Sequence, residues 1–237
     1  MGGQLKGSLL RGLLLGGRFL GRPQPRICIE TGTYLGDSTR LLATIFREVH
    51  TIELSPKYHS LAQENLKDVS GIRFYLGDSG LWVEKILQTI QEPVVVFLDA
   101  HWAGGDTACG AEEVPLLREL QSLTTRSYPD LLIIDDVRLI GRSGFSGSEG
   151  NPIYPKAAFD WRHITMKKIS ELAGHGIRHP RMVYRDRLFI FRNCSFFSGV
   201  LLATKGFLVS TLYTTLRFCR DKFQAPMPKK PFQAFFG

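Results

Sequence analysis

Apolar residues gather in short runs separated by stretches with helical spacing, the pattern of an α/β protein. Ile27, Cys28 and Ile29 form the first run, and others lie at 49–54, 72–76, 94–98 and 131–134. The runs at 94–98 and 131–134 are apolar almost throughout, as strands buried on both faces must be. Helices are expected from 37 onward, over 56–66 where Pro56 suits a first turn, over 80–90, over about 112–123 and over 159–172. Short runs at 182–184 and 188–191 read as closing antiparallel strands. Between them, 103–113 and 138–155 are glycine-rich and read as loops over the ends of the fourth and fifth strands, the second as a lid. Ahead of the first strand, 4–20 place Leu5, Leu9, Leu13 and Leu20 with Leu10, Leu14 and Phe19 on a broad apolar helical face. That stretch is too short and glycine-broken for a membrane span.

The first strand leads into the most informative stretch, residues 27–42, ICIETGTYLGDSTRLL. Glu30 ends the strand, Gly32 and Gly36 follow, and Asp37, Ser38 and Thr39 are helix-capping types before Leu41, Leu42 and Ile45. Glycines let the backbone pass close to a ligand, and a helix start offers N–H groups to a negative one. A dinucleotide fingerprint would read G-x-G-x-x-G. Here a carboxylate stands at its first glycine, which suits a ligand carrying both an ammonium and a carboxylate.

With Glu30, Gly32, Gly36 and Ser38 as E-x-G-x-x-x-G-x-S, the stretch resembles motif I of class I S-adenosylmethionine (SAM) methyltransferases. It looks most like the metal-dependent O-methyltransferases of the caffeoyl-CoA, catechol and macrocin types. The resemblance covers about residues 26–192. It implies SAM as cofactor, held at Glu30, Gly32, Thr33, Gly36 and Ser38. It also implies a Rossmann-like seven-stranded, mostly parallel sheet of order 3-2-1-4-5-7-6, the last strand antiparallel, with helices on both faces.

Other acids fall at strand ends. Glu53 lies 17 residues past Gly36, where an acid can accept both ribose hydroxyls of an adenosine. The resemblance implies that role; a plain loop carboxylate is the alternative. Asp78 and Ser79 read two ways, as neighbours of the adenine amino group, as the resemblance implies, or as the cap of the following helix. Asp99 and His101 follow the fourth strand, and Asp135 and Asp136 the fifth. Ligands of open α/β sheets bind beyond these ends. Converging without partners, Asp99, Asp135 and Asp136 would repel, so a divalent cation is expected among them, and oxygen ligands favour Mg²⁺. The resembled family holds its metal with acids at the same places. It often has Asp-x-Asp after strand four, sometimes followed by Lys. Here His101 replaces the second Asp and Trp102 stands at the Lys position. An imidazole suits a general base at neutral pH; structural and metal-ligating roles for His101 remain open. Asp106, Glu112 and Glu113 are candidates for substrate contact.

Charge alters the picture at the ends. The net charge is +8, yet residues 1–26 hold five Lys/Arg and no acid, and 193–237 hold six Lys/Arg and one acid, leaving −2 between. Basicity spread around a cleft would suggest nucleic acid; basicity at two apolar ends suits an anionic membrane surface, another acidic partner or a second copy of the chain. Four cysteines without paired or metal-ligand spacing fit a reducing, cytoplasmic compartment. The chain thus divides into a basic apolar extension (1–25), a methyltransferase-like domain (26–192) and a second extension (193–237). The expected function is SAM-dependent, Mg²⁺-assisted methylation of a hydroxyl on a small molecule or sugar-containing metabolite, with His101 and Asp99 catalytic. The alternatives are a metal-independent or nucleic-acid methyltransferase and a non-catalytic SAM-binding membrane-associated protein.

Overall fold

The computed structural model describes residues 7–19, 24–101, 104, 108–110, 112–151, 155–174 and 181–193. Trp102, Asp106 and residues 194–237 of the C-terminal extension lie outside them. Seven strands form one sheet: β1 (Ile27–Thr31), β2 (Glu48–Glu53), β3 (Ile72–Leu76), β4 (Val94–Leu98), β5 (Leu131–Ile134), then β8 (Arg181–Tyr184) and β9 (Arg187–Phe191). Their order is β3-β2-β1-β4-β5-β9-β8. Counted along the chain within this sheet, that is 3-2-1-4-5-7-6, as expected. β9 runs antiparallel to both β5 and β8, and the other pairings are parallel.

Helices cover both faces. On one, α4 (Ser79–Gln88), α5 (Leu116–Gln121) and α6 (Met166–Ala173) bury Val83, Ile86, Leu120 and Ile169 against Ile29, Val96 and Leu132. On the other, α1 (Gly7–Phe19) and α2 (Asp37–Ala43) bury Leu9, Leu10, Leu13 and Leu42 against Cys28, Val95, Phe97 and Ile133. α3 (Pro56–Asn65) packs along β2 and β3. The alternation follows from the pleat, which sends successive side chains to opposite faces. α1 is therefore part of the core, and Arg11 ties it to the end of α2 through the Thr44 carbonyl at 2.6 Å. Among the described residues, no helix is long and apolar enough to cross a membrane.

The topology fixes where a ligand can sit. β1 and β4 are neighbours at the centre of the sheet, yet the helices that follow them, α2 and α5, pack on opposite faces. The chain diverges there and leaves a crevice above the strand ends.

Three local expectations need correction. The stretch 138–155 is not all loop, and 159–172 is not all helix. β6 (Ser143–Ser146) and β7 (Ala157–Asp160) form a separate two-stranded sheet, and α6 begins only at Met166. Thr165 caps α6 by accepting from the Lys168 N–H, while Trp161 donates its N–H to the Arg142 carbonyl and its own carbonyl accepts from Gly141 N, which ties the residues ahead of α6 to β6. At α2 the N-cap is Gly36, with φ +88° and no side-chain cap, rather than Asp37, Ser38 or Thr39.

Candidate active site

A cavity of about 1150 Å³ opens over the C-terminal ends of β1, β2, β4 and β5. Gly32, Thr33, Ser38, Glu53, Asp78, Ser79, Asp99, His101, Asp135 and Asp136 all line it. Glu30 and Gly36 do not. Glu30 is fully buried behind the loop, where its Oε2 accepts from the Thr51 hydroxyl at 2.8 Å and from that of Thr39. Because the Thr51 proton goes to Glu30, Thr33 must donate to Thr51 across 2.6 Å. This chain of hydroxyls joins β1, β2 and α2, so Glu30 shapes the loop from behind. Burial raises its pKa. The glycines also serve packing. Gly32 has φ +82°, and a Cβ there would lie 2.6 Å from the Asp99 carbonyl; at Gly36 it would strike Leu66.

Glu53 ends β2 at the cavity wall. Its Oε2 accepts from Tyr34 N and its Oε1 from Ser55 N, each at 2.8 Å. Two backbone donors fix the carboxylate and leave further lone pairs for a ligand. Leu35, Ile52, Leu54 and Tyr58 add an apolar wall beside it. Asp78 is the N-cap of α4, accepting from Leu81 N, and Arg118 pairs with it at 3.1 Å. Of its two readings the cap holds, and its carboxylate also reaches the cavity.

The remaining acids surround His101. Its Nε2 lies 2.9 Å from Asp136 Oδ2, and its Nδ1 lies 3.8 Å from Asp99 Oδ1. The ring stands edge-on to buried Trp161 at 5.4 Å. Burial alone would lower the His101 pKa; the hydrogen bond to Asp136 and the charges of Asp99, Asp136 and Asp135 outweigh it and raise the value. Against its own burial penalty, His101 and Arg138 hold Asp136 below the carboxylate range. Burial and the neighbouring Asp135 push Asp99 well up.

The expected cation does not fit this set as arranged. Among the described residues, the three carboxylates that bring an oxygen within 4.8 Å of one another are Asp135, Asp136 and Asp186, not the trio with Asp99. Nor are they without partners. Arg187 pairs with Asp135 at 2.7 Å with both groups buried, and Arg138 contacts both Asp136 and Asp186.

Sequence reasoning missed Arg138, Arg187, Asp186 and Glu119. Asp186 sits in the two-residue turn between β8 and β9, at φ +65° beside Arg185 at φ +49°. Glu119 of α5 is fully buried beneath the strand ends, and neither carboxylate oxygen has a well-formed hydrogen bond. Burial lifts its pKa to about 7, moderated by the nearby Ser79 and Thr31 hydroxyls. Thr31 Oγ1 in turn accepts from the N–H groups of Asp99 and Ala100, both at 3.2 Å. On the open side, Arg142 and β6 line the cavity, with Phe145 71 % exposed. Glu112 and Glu113 line it too, and Glu113 accepts from Asp160 N.

No family model matches the chain, and no curated protein matches it. Solved structures do. SAM-bound CalS10, an amino pentose methyltransferase from Micromonospora echinaspora involved in calicheamicin biosynthesis, is 13% identical over 79% of this chain and 92% of its own, with a TM-score of 0.46. The O-methyltransferase from Bacillus cereus in complex with SAH is 19% identical over 78% of this chain and 80% of its own, at 0.45. The SAH-bound methyltransferase PaMTH1 of Podospora anserina is 16% identical over 77% of each chain, also at 0.45. The strand order, the antiparallel strand β9 within the main sheet and the cavity over the β1 and β4 ends are those of a Rossmann-like, mostly parallel seven-stranded α/β fold.

Proposed function

We propose that this chain transfers a methyl group from SAM to a hydroxyl of a small molecule, with His101 as the proton acceptor. The observation that carries the reading is the His101–Asp136 pair on the wall of the cavity that the β1 loop and Glu53 also line. Neutral His101 that donates from Nε2 to Asp136 keeps Nδ1 as an acceptor. Bound SAM would supply an electrophilic methyl group on a sulfonium. His101 takes the acceptor's proton at Nδ1 as the acceptor oxygen gains that methyl. Asp136 orients the ring and stabilises the imidazolium that results.

The wall chemistry suits SAM. Among the described residues the cavity is lined by eight carboxylates against three guanidinium groups. Such a surface attracts a ligand with a sulfonium and an ammonium and repels a polyphosphate backbone. It therefore disfavours a nucleic-acid acceptor. Glu53, held by two backbone N–H groups, is assigned to the ribose hydroxyls. Glu53→Gln keeps the size but loses the charged acceptor, so SAM affinity should fall about tenfold or more, since hydrogen bonds to charged groups are worth roughly 1.5–3 kcal/mol. Calorimetric titration of the folded variant checks it, and unchanged affinity rejects the assignment.

Calorimetry with wild type separates a SAM protein from one that does not bind it. Incubating acceptor pools with methyl-labelled SAM then distinguishes an enzyme from a binding protein. Label recovered in an alkali-stable methyl ether supports the hydroxyl acceptor; label on nitrogen or in nucleic acid refutes it.

A further inference from the structure

We infer that Arg138 and Arg187 take the place of a divalent cation, so that the chain's own guanidinium groups neutralise the acidic cluster and no metal ion is held there. The donor count is the basis. Asp135 accepts from Asp136 N at 2.8 Å through Oδ1 and from Arg187 Nη2 at 2.7 Å through Oδ2. Asp136 meets Arg138 through Oδ1 and His101 through Oδ2. Asp186 accepts from Arg138 N at 2.8 Å through Oδ1 and meets the Arg138 guanidinium through Oδ2. All six oxygens of the cluster thus face an N–H donor. Mg²⁺ needs such oxygens at about 2.0–2.1 Å in near-octahedral array, which means stripping these donors away.

The two arginines differ in how readily they could leave. Arg187 is 6% exposed, lies over the Phe97 ring and is fixed in β9, so it cannot swing into water. Its partner Asp135 would be left as a buried, unpaired carboxylate. The Arg138 side chain is 41% exposed and can swing into water. Arg138 is therefore the residue whose removal should open the cluster to an ion.

The inference does not depend on the acceptor being a hydroxyl, and its test reads metal directly. Mn²⁺ is titrated into full-length protein and followed by the electron paramagnetic resonance of the free ion. Wild type should leave the signal unbound at Mn²⁺ in modest excess. Arg138→Gln should bind one Mn²⁺ at least about tenfold more tightly, because one positive charge a few ångströms away is gone. Adding Asp186→Asn to that variant should abolish the gain. Arg138→Lys, which keeps the charge, should behave like wild type. Stoichiometric Mn²⁺ binding by wild type that Asp135→Asn removes would overturn the inference, even if Arg138→Gln fails to fold. So would an Arg138→Gln protein, folded by circular dichroism, that binds no better than wild type. SAM calorimetry on the same samples keeps the cofactor reading separate: its failure would leave the metal result standing.

Discussion

Replacing His101 by Ala should lower methyl transfer by roughly 10²–10⁴-fold, the usual worth of a general base, and leave SAM affinity close to wild type. The separation is expected because Glu53, assigned to the cofactor, ends β2, two strands away from the β4 end that carries His101. The pH profile gives a stricter check. Only neutral imidazole accepts a proton. The folded His101 pKa is raised from its ordinary 6.5 by Asp136, Asp99 and Asp135 despite burial, so the ring stays protonated to a higher pH than a free histidine. Activity should therefore climb through a limb above 6.5 and level off on the alkaline side. Asp136→Asn removes the largest raising influence, so its limb should move to lower pH. Its plateau should also fall, because the amide holds the imidazolium less well. Labelled-SAM turnover across pH measures both. A wild-type profile flat across neutrality, or His101→Ala at wild-type rate, would exclude His101 as the base.

The parts that were legible in the sequence share a physical cause. A strand buried on both faces must be apolar along its length, so 94–98 and 131–134 announced β4 and β5 with their bounds intact. An acid that follows such a run stands out, which is why Asp99 and Asp135 were found; Glu53, the last residue of β2, reaches the same cavity. What neutralises those acids was not legible. Arg187 meets Asp135 from 52 residues away, only because β9 runs antiparallel beside β5 and sets Leu188 opposite Ile134. The same register brings Asp186 to Arg138. Local composition holds no trace of that pairing, so carboxylates that are partnered in the fold read as unpartnered and suggested a metal. Glu30 misled for a related reason. Its place beside the glycine loop suggested ligand contact, but the pleat turns it into the layer with Thr39 and Thr51. β6 and β7 escaped because a two-stranded sheet with an exposed Phe145 has no buried alternation to reveal it.

Glu119 was missed because a charged residue within a short amphipathic helix reads as part of its wet face, whereas here it faces the strand ends with no exposure at all. Glu119→Gln should stabilise the protein at pH 8 by about 3 kcal/mol and change little at the acid end. The folded carboxyl has its pKa raised to about 7 from an ordinary 4.5, chiefly by burial. Below 4.5 it is protonated in both folded and unfolded chains and costs nothing. Between 4.5 and about 7 the unfolded chain releases a proton that the folded one keeps, so wild-type stability falls as pH rises. Above about 7 the whole cost of a buried, ionised group is present. Gln has no charge to bury, and its amide oxygen can still accept from the Thr31 or Ser79 hydroxyl. Denaturant unfolding of the two proteins at several pH values checks this: their difference should open between pH 4.5 and about 7 and then stay constant. Parallel curves would mean that Glu119 is solvated or paired in the folded chain. If the stabilised variant is also slower at methyl transfer, the acid is kept for the site at a cost to the fold. Its link would run through Thr31, whose oxygen receives the Asp99 and Ala100 N–H groups and so sets the strand end that presents His101.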